Sequence, residues 1–536
     1  MHVMYLMSPS VLFLPVLSIL RYVDYPIADL LHMVGRAGRP SIDAHGVALV
    51  QCHGPRADAL QRLLLEPLPV ESHLDHFLHD HLNAEVVTKT VENKQEAVDY
   101  MTWTLYWPRL AHNPNYYNLQ GTTHSHLSDH LSQLVEGVIT DLEESRALAV
   151  EDEINLSPLN LGMIAAYYYI AYTTVELFAS SLTDKTKLRG LLEIVCAASE
   201  YGELPVRHHE EQLIKNLAHH LPQKLPDSSK FSDPHTKALV LLQAHFSRHP
   251  LSSELASDQA TVLGHSLKLL QALVDVISSN GWLKPAIVAM ECSQMVVQGL
   301  WDKDHPLLQL PHVTKDTLQR CKAANNAMLP QDGSGDVETV FDVMALEDDV
   351  RDDLLRLSAA ETQEVAAFCN AYPNVDLNFE VVDADQVETG DAVSVMVSLE
   401  REMDDGDEED EAGAAKAAGG AAGPTMVYAP KYPKPKHEGW WLVIGNAKTN
   451  ALLCVKRVAL AQKANVKLDF VAPDEPGDYA LTLYFMCDSY IGCDQEYALE
   501  LKVAQGDSDD DEDDEEEEKD MEEEEASGDE GGRMEN

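Results

Sequence analysis

Two arginines three residues apart, Arg36 and Arg39, stand beside two glycines, Gly35 and Gly38, in the string Gly-Arg-Ala-Gly-Arg-Pro that closes residues 22–40. A guanidinium is planar and permanently charged, so it suits phosphate oxygens and stabilises charge developing on a transferring phosphoryl group. The small residues let backbone and ligand approach closely. A salt-bridge cluster at a helix end would use the same residues with no ligand at all. No G-x-x-x-x-G-K-[ST] loop and no D-E-x-H box accompanies the string, so the pair reads as half of a phosphate site. The acidic runs near Asp404 and Asp509 lie in low-complexity sequence and make no magnesium site.

Two other constellations carry potential chemistry. His73, His76, His79 and Asp80 have roughly helical spacing. Zinc needs a distant further ligand and an oriented outer shell as well, which nothing here supplies, so a solvated helix face is expected and no metal. The run 261–277 is a helix whose apolar positions fill one face, while His265, Lys268, Gln271 and Asp275 recur on the other. By itself such a stripe is a solvated face.

The elements that must position these groups follow in order. Residues 46–52 read as a buried core strand and 57–65 as a helix, the tail of an α/β domain ending near Pro67. Between 70 and 155, amphipathic helices, the turn at 113–117 and a short strand at 147–154 make a winged helix without a basic recognition helix. From 156 to 285 and on to 372 the pattern is helical, with Pro222, Pro226, Pro234 and Pro250 marking connections. After Pro373 the period becomes two. Seven runs of alternating residues predict an immunoglobulin-like or fibronectin-type β-sandwich, interrupted by a disordered insertion at 403–437.

With 536 residues there is room for several domains, and 45% hydrophobic residues are those of globular protein. The net charge of −51 owes much to an acidic, disordered tail from 506 to 536 and argues against broad nucleic-acid binding, leaving only a local track. Eight cysteines without a C-x-x-C pair fit a reducing compartment, with Cys487 and Cys493 as buried free thiols. The apolar residues 1–20 contain Pro9 and Pro15 and are too short and interrupted for a membrane span. A buried strand, or a start codon inside a longer reading frame, would each account for them.

Preceded by Tyr-Val-Asp-Tyr-Pro at 22–26, the arginine string resembles motif VI of superfamily-two RNA helicases. Residues 79–90, the block 103–121 and residues 159–169 make the chain similar, from about Tyr22 to Gln505, to the large U5 snRNP helicases of the Ski-like branch. These carry two cassettes in tandem, each followed by a Sec-63-type unit, and the acidic tail suggests the end of the second. The resemblance implies a multidomain, mainly α architecture with a C-terminal β-sandwich. Its parts are a partial RecA-like domain at 1–68, a winged helix at 69–155, a helical ratchet bundle at 156–284, a helix–loop–helix at 285–372 and the sandwich at 373–505.

It further implies Arg36 and Arg39 on the phosphate side of an ATP cleft, with Gly35 and Gly38 lining it. ATP and Mg would serve the intact enzyme and no cofactor this chain alone, which should not hydrolyse ATP. His32 stands where the family has Gln. In the family, the helix at 261–277 resembles a ratchet touching single-stranded RNA: Lys268 at a phosphate, His265 and Gln271 at sugar or base. The expected setting is nuclear, with unwinding of U4/U6 snRNA, partners among U5 and other spliceosomal proteins, and neither membrane nor DNA. One rival, the two-cassette helicase of the activating signal cointegrator complex, has the same domain order; another, a non-catalytic Sec-63-type interaction protein, is built on the same unit and would need a J domain and membrane spans. A third reading is a truncated gene product.

Overall fold

Parallel strands cannot be joined by a tight turn, so the pair Val3–Met7 and Val47–Gln51 needs a long crossover. Their register runs from Val3 opposite Val47 to Met7 opposite Gln51, and the connection carries the helix Ile27–Gly35. In this computed structural model the described residues are 3–7, 27–38, 42–43, 45–65, 70–226, 229–328, 337–382, 387–402 and 426–505. Residues 22–26, Arg39, residues 403–425 and the tail 506–536 therefore lie outside the description. The strand expected to be buried is not: Leu49 is 48% exposed, and the following helix Ala57–Leu65 has no buried residue.

The chain divides into two units. The first comprises Met1–Tyr172, Glu203–His219 and Asp227–Lys237. Its centre is the winged helix: helices Leu74–Val87, Lys94–Thr102, Tyr106–His112 and His124–Glu144, then the hairpin Leu148–Glu151 with Asn155–Pro158. Caps set the helix starts. The Asn93 side chain accepts from Glu96 N at 2.9 Å, while Glu96 reaches back to Glu92 N at 2.8 Å. Leu78, Leu82, Met101, Tyr106, Leu131 and Val135 form the core, at i, i+3 and i+4 spacings that turn one stripe of each helix inward. Glu71 ties the unit's entry to the turn at 113–117. Arg109 donates to it through Nε at 3.1 Å and Nη2 at 2.5 Å, and Asn113 and Tyr117 donate as well. The hydrogen bonds from Arg109 and then Asn113 hold its carboxyl down at about 2.

The helix Asn160–Tyr168, assigned from sequence to the bundle at 156–284, packs within this first compact unit. Asn83 Nδ2 donates to Gly162 O at 3.0 Å, and Leu159 N to Ala147 O at 3.0 Å, so this helix is docked directly on the winged helix. This helix ends at Tyr169, which takes the left-handed conformation with φ 53°.

The second unit comprises Thr173–Gly202, His220–Pro226 and Ala238–Asn536. Helices Leu188–Cys196, Ser253–Ser279 and Leu283–Gln298 pack together within it. Beyond them, the helices Lys315–Met328, Val340–Ala345, Asp348–Leu355 and Ala359–Ala371 follow the helical pattern read up to 372, two of them started by the capping boxes Thr339/Asp342 and Ser358/Glu361. The helix Pro234–Phe246 was read as a connection because of its proline. Proline, however, fits the first turn of a helix, where its missing N–H has no partner to lose.

Seven strands form two antiparallel sheets. One has the order Gln495–Val503, Gly477–Cys487, Trp440–Asn446, Ala451–Val458; the other Val375–Val381, Ala392–Arg401, Lys463–Val471. Alternate residues of Lys463–Val471 are buried, as a half-covered strand requires, whereas Trp440–Gly445 are buried throughout. The helix Leu283–Gln298 and the turn after it are sewn to the loop following strand Gly477–Cys487. Side-chain amides of Gln294, Gln298 and Gln309 donate to the carbonyls of Cys487, Ser489 and Ile491, each at 2.8 Å. Cys487 and Cys493 meet here as free, buried thiols, both pushed up by burial.

The insertion read as disordered over 403–437 is ordered from Met426 onward, closed by a bridge between Met426 and His437. Tyr428 N donates to Tyr490 Oη at 2.9 Å and Lys436 Nζ to Asp488 at 2.6 Å. Three prolines, Pro430, Pro433 and Pro435, stiffen the segment before any contact forms.

Candidate nucleic-acid interface

Ser252 caps the 27-residue helix Ser253–Ser279, and Gly281, with φ 70°, lets the chain turn away after it. Leu255, Val262, Leu263, Leu269, Leu270, Leu273 and Ile277 are buried, and so are Ala272, Val274 and Val276 on flanking positions. Among the described residues this is the one helix long and apolar enough to cross a membrane. Its burial within the unit explains that composition: a helix covered on most sides is apolar on most sides. It also begins eight residues before the run 261–277 recognised in the sequence.

Between Val262 and Ile277 what stays uncovered is a narrow line. Gly264, His265, Lys268, Gln271 and Asp275 are all half-buried, at the spacing of one helix face. The structure thus brings the three predicted RNA-binding residues, His265, Lys268 and Gln271, into one row. The His265 ring meets the edge of Tyr201 at 6.3 Å. Burial, then the neighbouring charge of Lys268, hold its imidazole below the ordinary value, with a smaller push from Lys434 and an opposing pull from Glu200. At neutral pH the ring is therefore uncharged, with one nitrogen to donate and one to accept.

Two cations join this line from outside the helix, and sequence reasoning missed both. Lys434 Nζ lies 3.5 Å from Gly264 O, and Tyr432 Oη donates to Leu263 O at 3.4 Å. Arg457, on the strand Ala451–Val458, donates to Gln271 O at 3.2 Å, lies 3.9 Å from Asp275 and sits over the Trp441 ring at 5.4 Å from its centroid. The available signal was a run of three lysines, Lys431, Lys434 and Lys436, in a chain of net charge −51.

The arginine motif is less complete. Arg36 follows the helix Ile27–Gly35, its N–H bonded to His32 O at 3.2 Å, and its side chain is exposed. A Cβ on Gly35 would meet nothing within 4 Å and one on Gly38 only Gly46 Cα at 3.9 Å, so the surface there is open to a ligand. The glycine that local packing demands is Gly46, where a Cβ would stand 2.7 Å from Ala37 O. Arg39 lies outside the described residues, and the sequence has no phosphate loop.

The histidines at 73–80 are engaged elsewhere. His79 Nε2 lies 2.9 Å from Asp141 and stacks on Tyr172 at 5.1 Å; His73 meets Tyr116 at 6.0 Å; Asp80 accepts from Tyr172 N at 2.8 Å. Among the described residues no group of three or more His, Cys, Asp or Glu side chains is placed to hold a metal ion.

A helical unit whose long central helix carries one polar line, joined to two antiparallel sheets and preceded by a winged helix, defines the class. The Sec63 Brl domain matches residues 158–500, and the chain belongs to that family. A winged helix-turn-helix domain matches residues 71–152. The chain is 53% identical over 490 residues to the human U5 small nuclear ribonucleoprotein 200 kDa helicase, covering 91% of this chain and 22% of that protein. An Arabidopsis thaliana DExH-box ATP-dependent RNA helicase, DExH12, is 53% identical over 480 residues, with 90% and 21% covered. A Dictyostelium discoideum activating signal cointegrator 1 complex subunit 3-like protein is 45% identical over 486 residues, with the same coverage of 90% and 21%. The chain thus spans about a fifth of the length of these curated relatives.

Proposed function

We propose that this chain is the rear of a helicase cassette of the U5 200 kDa type, guiding RNA along the polar line of Ser253–Ser279 and offering docking surface to spliceosomal proteins. The observation that carries the reading is the row His265, Lys268, Gln271 on a helix whose other residues are buried between Val262 and Ile277, apart from Gly264 and Asp275 of the same line, in a chain 53% identical to a U5 helicase. A buried helix has no need of a charged line, and phosphates do. Lys268 faces the RNA backbone, while uncharged His265 and the Gln271 amide reach sugar hydroxyls or base edges. Residues 1–68 are the end of a RecA-like domain, with Arg36 and Arg39 reaching an ATP–Mg complex only when a phosphate-holding lobe is supplied. The strand order of the two sheets fits a fibronectin-type sandwich serving as the protein-binding part. The intact enzyme would act in the nucleus on paired U4/U6 snRNA. The cointegrator-type reading has support from the Dictyostelium relative, at the lower identity of 45%.

The test is binding of a labelled single-stranded RNA to the full chain by fluorescence anisotropy. Lys268→Glu is expected to weaken binding about tenfold at moderate salt and to flatten the salt dependence, since one phosphate contact is replaced by repulsion. Unchanged affinity and unchanged salt slope would remove the helix from the RNA path.

A further inference from the structure

We infer that the strap Met426–His437 is a second wall of the RNA track, and that Lys434 is a phosphate-contacting residue lying beside, and not on, the central helix. The inference rests on the reading of Ser253–Ser279 as an RNA-guiding helix and extends it to a segment of the sheet domain.

Three observations place the strap there. First, it is anchored at both ends, by Tyr428 N on Tyr490 Oη at 2.9 Å and by Lys436 on Asp488 at 2.6 Å. Lys436 is thereby consumed by an ion pair, whereas the Lys434 side chain is exposed, with Nζ 3.5 Å from the carbonyl of Gly264. Second, the helix makes room for it. A Cβ at Gly264 would stand 3.2 Å from Lys434 Nζ. A mid-helix glycine costs roughly 1 kcal/mol against alanine, and here the gap admits the lysine. Third, the strap extends the same line. Lys434 lies at Gly264, Lys268 a turn further on, and Arg457 at Gln271 and Asp275. From 264 to 275 the helix rises about 16 Å, so the cations are strung along a path and not gathered at a point. A row of separated charges with the neutral donors His265 and Gln271 between them suits a polyanion with a sugar and base at each step. A single anionic group would need them convergent.

The chemistry assigned is an ammonium–phosphate contact to single-stranded RNA, with no base preference of its own. The prolines of the strap keep Lys434 in place before RNA arrives, so little ordering is lost on binding.

Three variants of the full chain decide it, in the same anisotropy assay over a range of salt: Lys434→Gln, Lys434→Arg and Lys268→Glu. Glutamine stays polar but carries no charge, so Lys434→Gln should weaken RNA binding about threefold and lower the salt slope by about 0.7, with Lys434→Arg close to the parent. If Lys434→Gln matches the parent in affinity and slope while Lys268→Glu weakens binding, the strap is off the track and the helix reading stands. If Lys268→Glu is also silent, the helix reading falls and the strap falls with it. If Lys434→Gln loses affinity for polyglutamate but not for RNA, the strap serves an acidic protein segment and the proposal is overturned.

Discussion

Gly162→Ala destabilises the winged-helix unit by about 3 kcal/mol, while Gly137→Ala stabilises it by about 0.5 kcal/mol. Both glycines lie in helices of the same unit, Asn160–Tyr168 and His124–Glu144. A Cβ on Gly162 would stand 2.0 Å from Ala147 O and 2.6 Å from Asn83 Oδ1, whereas one on the exposed Gly137 meets nothing within 4 Å. The obstacle at Gly162 is backbone. Ala147 O already accepts from Leu159 N at 3.0 Å, and Asn83 Nδ2 holds Gly162 O at 3.0 Å, so neither side gives way without breaking a bond. At Gly137 only the conformational freedom of the unfolded chain is reduced. Hydrogen exchange of the amides in His124–Glu144, measured in the full chain, reads both effects. Equal shifts from the two substitutions would contradict the close docking.

The second large effect is expected at Trp441. Its side chain is 1% exposed in the strand Trp440–Asn446, with Arg457 over its ring at 5.4 Å. Truncation to alanine removes the largest fully buried side chain among the described residues and leaves a cavity, at a cost of about 3–5 kcal/mol. Trp441→Phe should cost about 1.5 kcal/mol or less, because Nε1 has no hydrogen-bond partner among the described residues and only volume is lost. The alanine variant also frees Arg457 from the place where it meets Gln271 O, so RNA affinity should drop with stability, and the phenylalanine variant should keep both. Exchange protection of the strand amides 440–446 and RNA binding, measured together, check the pair. Loss of affinity in Trp441→Phe with protection intact would go against this account of Arg457.

How far the sequence reached depended on the range of the interactions. Helix His124–Glu144 and the seven late strands were legible because period and caps are local. The polar row His265, Lys268, Gln271 was legible for the same reason: one helix holds all three. Lys434 and Arg457 were not, since strap and strand meet the helix from 170 and 186 residues away in sequence. The strap was misread because Pro, Lys and Tyr in alternation have the composition of a linker. Its order comes from Asp488 and Tyr490, far down the chain. The docking of Asn160–Tyr168 on the winged helix was hidden in a single glycine, whose role appears only when Ala147 O is seen against it. The helix end at Tyr169 was hidden because a tyrosine, not a glycine, takes φ 53°.

Everything proposed for function turns on RNA lying along Ser253–Ser279. Photocrosslinking of a 4-thiouridine-substituted single-stranded RNA to the full chain, with crosslinked peptides mapped by mass spectrometry, tests that directly. Crosslinks should concentrate on the helix between Gly264 and Asp275 and on the strap near Lys434. Crosslinks confined to other segments, with this helix unmarked, would contradict the account.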